Sequence, residues 1–214
     1  MNDCCCAPPP LDLGGNKKRE VAYRRVLWTV LAINATMFAV EVIAGLAAGS
    51  ASLQADALDF LGDAANYAIS LLVVGMALRY RAAAALAKGA TMAAFGAWVV
   101  GTVLWHSLQG TLPSAFTMGT VGFAALIANA ASFGLLWAYR HGDANMRSAW
   151  ICTRNDVLGN CAVLLAAVGV FGTGTGWPDV VVAAIMAVLA IQGAIVVSRQ
   201  AAGELRLGRL AAAE

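Results

Sequence analysis

Charged residues are scarce in this chain of 214 residues: only 12% are Asp, Glu, Lys or Arg, while 60% are hydrophobic. The mean hydropathy is +0.72. A typical soluble domain is about 25% charged and about 45–50% apolar, so this chain has too little polar surface to cover a water-soluble globule. The apolar content also excludes a disordered chain, and a net charge of +2 gives no support to a nucleic-acid partner. The composition predicts an all-α, polytopic membrane protein.

The longest stretch without charge predicts how many times the chain crosses the membrane. Residues 89–139 contain no Asp, Glu, Lys or Arg. Because one transmembrane helix needs about 20 mostly apolar residues, this stretch holds two spans, with a turn at 109–114. A Gly-Ser stretch at 49–52 and a Gly-Thr-rich loop at 172–178 predict two further turns. We therefore expect six transmembrane helices within residues 26–198, a flexible arm over 1–25 and a short tail over 199–214.

Basic residues are nearly absent from three of the predicted loops. Thirteen of the 14 lie in the N-terminal arm, in the loops after spans two and four, and in the tail. Since Lys and Arg collect on the cytoplasmic side, we expect both termini in the cytoplasm of a cell whose plasma membrane holds the protein. The remaining basic residue, Arg154, falls inside span five, where it can extend to the interface or pair with a neighbouring helix.

Two further features are missing. The N-terminal arm has no small-residue cleavage site after an apolar core, so we predict no cleaved signal peptide. The five cysteines do not form a disulfide framework, because Cys4, Cys5 and Cys6 are consecutive and the other two lie in apolar segments.

Acidic residues occur where a membrane helix should have none. Each one near a helix centre costs roughly 2.5–3.5 kcal/mol on insertion scales. The residues inside predicted spans are Glu41, Asp56, Asp59, Asp63 and Asp156. A chain that only had to fill a membrane would use leucine at these positions.

The spacing of two pairs predicts a metal site. Asp59 and Asp63 are four residues apart, and so are Cys152 and Asp156, so each pair lies on one helix face. If the two faces meet, they supply four donors suited to a tetrahedral transition metal, with zinc the simplest case. Asn66, Asn155 and the remaining intramembrane acids, Glu41 and Asp56, are candidates for a secondary site or an ion pathway.

A structural interpretation of the same residues is that they tie helices together or line a wet cavity. Clustered carboxylates without a cation are strongly unfavourable, however, so the site should hold either metal or protons at neutral pH. Metal must displace protons to bind, and its release must take protons back. That alternation predicts exchange of a metal ion for protons.

Two segments resemble one family of transporters. Residues 49–63, GSASLQADALDFLGD, and 145–159, NMRSAWICTRNDVLG, are similar to the second and fifth helices of the cation diffusion facilitators. These six-helix proteins export zinc and related divalent metals, usually in exchange for protons. Their [His or Asp]-x-x-x-Asp motif is matched by Asp59 and Asp63, while Asn34 and Glu41 are similar to residues of their first helix. The resemblance implies a site of Asp59, Asp63, Cys152 and Asp156, and a homodimer.

The chain departs from that family in three respects. Cys152 replaces the usual His or Asp, which favours zinc or cadmium over manganese if it is a ligand and leaves open that it is not. Arg154 occupies a position that is normally apolar or small. Only 16 residues follow span six, so we expect the family's cytoplasmic C-terminal domain to be absent.

The sequence therefore predicts a zinc-like metal/proton antiporter that carries no prosthetic group and is not an enzyme, since Cys152 has no histidine in its span to activate it. The alternative is a membrane metal sensor or accessory protein that does not transport. Cys4, Cys5 and Cys6 either capture a soft metal or belong to an uninvolved tail.

Overall fold

The computed structural model describes residues 17–72, 78–138 and 144–210, and within these ranges the side chains at 17–20, 78, 79, 81, 144–155 and 204–210 are not described. All regular elements in this part of the chain are α-helices. They are α1 (Lys17–Ala48), α2 (Ala51–Leu72), α3 (Leu78–Gln109), α4 (Ala115–Trp137), α5 (Ala144–Thr173) and α6 (Trp177–Leu210). The prediction of an all-α protein is confirmed.

The helices differ in how well they suit a lipid environment. Each helix except α2 contains a stretch long and apolar enough to cross a membrane. Helix α2 has 22 residues, about 33 Å, and so matches a hydrocarbon core of about 30 Å in length. Its carboxylates lower its hydropathy, yet it packs against α1, α3, α5 and α6. We therefore retain it as the sixth span, shielded from lipid by its neighbours.

The outside of the bundle is apolar, and its mainly apolar core also holds buried polar residues. Large apolar side chains on the helices point outward, with Phe171 85% exposed and Phe116 81% exposed. Glu41, Asp56 and Asn160 are buried among hydrophobic core residues such as Leu53 and Val163. Large exposed apolar side chains together with buried polar ones fit a bundle whose solvent is lipid, because polar groups must find their partners inside.

Three turns lie together at one end of the bundle, called the turn end below. They join α1 to α2, α3 to α4 and α5 to α6, and in each the residue after the first helix is a glycine with positive φ: Gly49, Gly110 and Gly174. Glycine favours this left-handed conformation, which ends a helix while its amide satisfies a helical carbonyl. The three turns predicted from the sequence are confirmed.

The turns at this end contact one another. The amide of Ser114 donates to the carbonyl oxygen of Ala48 at 3.0 Å, which joins the α3–α4 turn to α1. A Cβ at Gly176 would collide with the carbonyl oxygen of Thr111, so the α5–α6 turn lies directly on the α3–α4 turn.

A carboxylate from α6 caps the first turn of α2. Asp179 Oδ1 accepts from Ser50 Oγ at 2.7 Å and from the amide of Ser52 at 3.0 Å, while Oδ2 accepts from the amide of Ala51 at 2.8 Å. These amides belong to a helix N-terminus, whose free N–H groups and dipole favour a negative charge. Asp179 is fully buried, so the cap also joins α6 to the α1–α2 hairpin.

Helix ends extend past the predicted spans. Helix α1 begins at Lys17, so residues 17–25 are helical where a flexible arm was expected, and α6 continues through residues 199–210 of the predicted tail. Helix α3 begins at Leu78 rather than after Lys88. Lys, Arg, Glu, Leu and Ala all favour helix, so backbone helicity continues after the apolar pattern ends.

Candidate metal site

Helix α2 carries the polar face from which the site is built. Asp56 and Asp63 are buried, and Asp59, on the same side of the helix, is half-buried. Steps of three and four residues place successive side chains on one helix face. Because α2 lies among four other helices, this face points at protein rather than at lipid.

Helices α2 and α5 run in opposite directions and meet along this face. Asp63 lies against Asp156, with their carboxyl groups within hydrogen-bonding reach of each other. One turn towards the turn end, a Cβ at Gly159 would lie 3.7 Å from Asp59 Oδ2. At the next level, Asn160 contacts Asp56. Among the residues whose side chains are described, α2 and α5 therefore contact each other at these three levels.

The pair of Asp63 and Asp156 is short of hydrogen-bond donors. Tyr67 Oη donates to Asp63 Oδ2 at 3.3 Å, whereas Asp156 Oδ2 is buried and accepts from no group in the described part of the chain. Two carboxylates cannot donate to each other, so their approach requires a proton or a cation between them. This is the arrangement expected at a cation site.

The full set of four ligands is not assembled in the described side chains. Among these, no three His, Cys, Asp or Glu residues are grouped closely enough to hold a metal ion. Asp63 and Asp156 meet, and Asp59 lies one turn away against α5. Cys152 is in the helical backbone of α5, one turn before Asp156, but its side chain is not described. The four-residue site remains a prediction.

The position of Lys88 differs from the one predicted from the sequence. The sequence placed it in a polar loop, but it lies in α3 and is only 6% exposed. Its ammonium group donates to Asn66 Oδ1 and lies near the carboxylate of Asp63. A long lysine side chain can reach an acidic group inside the bundle, and charge pairing offsets its desolvation. Asn66, a candidate pathway residue, is therefore the partner of a buried cation.

A second acidic pair lies closer to the turn end. Glu41 of α1 and Asp56 of α2 place their carboxyl groups within hydrogen-bonding reach of each other. Asn160 Nδ2 donates to Asp56 Oδ2 at 2.7 Å, and Asn129 Nδ2 of α4 donates to Asn160 Oδ1 at 2.9 Å. Four helices thus contribute to one buried network.

Some candidates lie outside this description. Cys4, Cys5 and Cys6 are outside the described residues, and Asn155 has a described backbone only. The structure also adds residues that the sequence analysis did not select as site candidates: Asn129, Asn160, Lys88 and Asp179. Asn129 had a usable signal, since it is the only asparagine in the long charge-free stretch, but nothing in the sequence identified its partner.

Comparison with known proteins places this bundle in a family. A family model described as the cation efflux transmembrane domain matches residues 27–205, which covers α2 to α5 completely and most of α1 and α6. The chain belongs to that family. The resemblance predicted from the motifs of α2 and α5 is thereby confirmed, and the match favours a transporter over an enzyme.

Curated relatives agree with this assignment. The chain is 27% identical over 210 residues to the zinc transporter ZitB of Pectobacterium atrosepticum, a match that covers 91% of this chain and 62% of the relative. It is 29% identical over 201 residues to ZitB of Escherichia coli, covering 86% and 63%. It is 22% identical over 195 residues to a protein of Bacillus subtilis named "Cadmium, cobalt and zinc/H(+)-K(+) antiporter", covering 83% and 62%. The chain thus spans about three fifths of the length of these relatives.

Proposed function

We propose that this protein exports a divalent transition metal, with zinc as the first candidate, in exchange for protons. The ligands in this proposal are Asp59, Asp63, Cys152 and Asp156. Support comes from the family match and from the relatives, which are named as zinc transporters and as a cadmium, cobalt and zinc antiporter.

The observation that carries the proposal is the contact between Asp63 and Asp156. These residues come from different helices, occupy matching positions in the two motifs and approach each other inside an apolar bundle. Each acidic residue in such surroundings costs several kcal/mol without a partner, roughly 2.5–3.5 kcal/mol at a helix centre. A divalent cation removes that cost, and so do protons.

Exchange of metal for protons follows because the same site can hold either a divalent cation or protons. Carboxylates and thiolates bind metal only after losing their protons, so metal binding releases protons and becomes stronger as the pH rises. If the site faces an acidic compartment, protons compete with the metal and favour its release. Repeating this on opposite sides of the membrane moves metal one way and protons the other.

The turn end bears on how the site could change sides. There the three turns are joined by Asp179, by the Ser114–Ala48 hydrogen bond and by the close approach of Gly176 to Thr111. A path to the site from this end requires these contacts to separate. Exchange of access therefore involves motion of helix pairs relative to each other, because the contacts link different hairpins.

The test is metal flux into proteoliposomes that contain the purified full chain and have an acidic lumen. Wild-type protein should accumulate radioactive zinc, and a protonophore should stop the accumulation. Asp63→Asn and Asp156→Asn keep the side-chain shape but remove the charge, so each should lower the zinc uptake rate by at least about tenfold, the usual minimum for disturbing a metal site. Ser70→Ala, a buried polar change on the same helix, is the matched control and should transport normally.

The possible results separate the alternatives. Wild-type zinc uptake that persists in both aspartate variants would show that the site is placed wrongly. Zinc binding without flux of zinc, cadmium, cobalt, nickel, manganese or iron would favour a sensor or accessory protein. If Cys152 is a ligand, Cys152→Ser should weaken cadmium uptake more than manganese uptake, because a thiolate prefers the softer ion.

Three further points belong to the same proposal. We place the protein in the plasma membrane with the turn end outside and both termini in the cytoplasm, since basic residues cluster at the opposite end. We also propose a homodimer through the membrane helices, on the basis of the family resemblance. Cys4, Cys5 and Cys6 remain candidates for metal capture.

A further inference from the structure

Glu41 is a fully buried acidic residue without a donor. It is 0% exposed, and neither Oε1 nor Oε2 accepts a hydrogen bond from any donor whose side chain or backbone is described. Its carboxyl group nevertheless lies within hydrogen-bonding reach of Asp56, which is 1% exposed. An ionised carboxylate in such a place would be both desolvated and repelled by its neighbour.

Asp56, in contrast, is held as an acceptor. Asn160 donates to its Oδ2 at 2.7 Å, and Asn160 is itself fixed by a 2.9 Å hydrogen bond from Asn129. A hydrogen bond from an amide stabilises the ionised form of a carboxyl group. Asp56 is therefore the carboxylate of the pair, and Glu41, which has no donor, is the member that carries a proton and donates to Asp56.

The charges around the Glu41–Asp56 pair also favour a bound proton. Asp59, on α2, and Asp156, on α5, are the other acidic groups that act on it. Helix α4, which packs on α1, has no ionisable side chain. On α3, Lys88 faces Asn66 and Asp63, and on α6, Asp179 faces the first turn of α2. Among the described side chains, the groups that act on Glu41 and Asp56 are acids and an amide, not cations.

The occupant of this pair is a proton rather than a transition metal. Within the described side chains, no third His, Cys, Asp or Glu joins Glu41 and Asp56 in a group able to hold a metal ion. Transition metals in proteins need about four ligands, whereas two oxygens suffice to hold one proton.

We propose that Glu41 and Asp56 bind one proton between them in a site separate from the metal site, and that this proton leaves when metal binds. This inference rests on the proposed function. On α2, the proposed metal ligands Asp59 and Asp63 follow Asp56 by three and seven residues, about 4.5 and about 10 Å along the helix, so the two sites interact through charge without sharing a ligand. A bound divalent cation lowers the proton affinity of the pair: the O–H bond of Glu41 breaks, its electrons stay on the carboxylate, and the proton leaves to water. Loss of the metal restores the proton.

The test compares protons released with zinc bound by the purified full chain. Glu41→Gln replaces the protonated acid with a neutral group of the same shape that can also donate to Asp56. We expect this variant to bind zinc, to release about one proton fewer per zinc and to show a weaker rise of zinc affinity with pH. Glu41→Asp, which restores an acid, should recover part of the release. Ser132→Ala, a buried hydroxyl on α4 without a hydrogen-bond partner, should leave it unchanged.

Infrared spectroscopy tests the proton itself without requiring transport. Wild-type protein free of metal should show the C=O stretch of a buried protonated carboxylic acid. The metal-free Asp63–Asp156 pair gives a signal of the same kind, so the part of the signal assigned to Glu41 is the part that Glu41→Gln removes from the wild-type spectrum. Zinc binding should decrease the signal by less in Glu41→Gln than in the wild type, because only the wild type also loses the Glu41 part.

The outcomes distinguish this inference from the function on which it rests. If Glu41→Gln shows the full wild-type infrared signal and the wild-type proton release, the inference is wrong even if zinc is transported. If Glu41→Gln removes part of the signal but zinc lowers the signal equally in the variant and the wild type, the proton is structural and its coupling to metal is wrong. If wild-type protein moves no metal, the proposed function fails, while the infrared comparison still decides whether Glu41 holds a proton.

Discussion

At the scale of single residues, Gly45 sets how closely α1 and α2 approach. A Cβ at this position would lie 2.9 Å from Gln54 Cγ and 3.2 Å from the backbone nitrogen of Gln54. Such distances require the neighbour to shift, and part of that neighbour is backbone. Small residues at helix contacts commonly permit this kind of close packing in membranes.

We therefore expect Gly45→Ala to destabilise the bundle by about 1–3 kcal/mol, the usual cost of overpacking a close contact. Gly101→Ala is the matched control, because a Cβ at Gly101 meets nothing within 4 Å and alanine favours helix. The apparent melting temperature of each variant in one detergent is the measurement. Equal melting temperatures for the two variants would contradict the inferred contact.

The sequence allows some residue-level predictions and not others. The contact of Asp63 with Asp156 could be expected, since each lies in a polar pair spaced by four residues. The burial of Lys88 could not be expected, because a lysine at the end of an apolar stretch is equally compatible with a polar loop and with a pairing inside the bundle. The hydrogen bond between Asn129 and Asn160 could not be predicted either, since it depends on the rotation of α4 about its axis relative to α5.

At the scale of helices, the cap on α2 connects distant parts of the chain. Asp179 of α6 accepts three hydrogen bonds from Ser50, Ala51 and Ser52, more than 120 positions earlier in the sequence. Its own position in the first turn of α6 marks it as an ordinary helix-start residue. Sequence therefore predicts a helix beginning at this point but not the second helix that the carboxylate serves.

We expect Asp179→Ala to destabilise the bundle strongly. It removes the acceptor for buried donors, at about 1–3 kcal/mol for each donor left without a partner. Ser114→Ala removes an exposed cap on α4, whose side chain accepts from the amide of Thr117, and should cost about 0.5–2 kcal/mol. Asp179→Asn, which keeps one acceptor oxygen, should fall between Asp179→Ala and wild type.

Thermal unfolding of the three variants in detergent checks this order. If Asp179→Ala melts at the temperature of Ser114→Ala or above it, the buried cap does not hold α6 to the α1–α2 hairpin. The same comparison is informative for function, because separation of the turn end must break this cap.

At the scale of the whole molecule, composition and turn signals predict the architecture better than they predict any single contact. The scarcity of charge predicts a membrane bundle, and Gly-rich segments predict three turns that the structure places at one end. Helix ends were predicted less well, since the apolar pattern ends at the lipid boundary while backbone hydrogen bonding continues beyond it. The central place of α2 follows from a conflict: a helix this polar is stable in a membrane only when other helices surround it.

The clustering of basic residues opposite the turn end predicts the orientation of the entire chain in the membrane, with the turn end outside. Thr175 is exposed in the α5–α6 turn, and exposed Arg199 lies about 33 Å farther along, measured from the start of α6. In a parent with serine at Cys4, Cys5, Cys6 and Cys161, we expect Thr175→Cys to react with a membrane-impermeant maleimide on intact cells. Arg199→Cys should react only after the membrane is permeabilised, because Lys and Arg retain their end of the bundle in the cytoplasm. The unmodified parent provides the background from Cys152. The opposite labelling pattern would invert the bundle and the direction of metal transport with it, while labelling of both positions from outside would show a mixed topology.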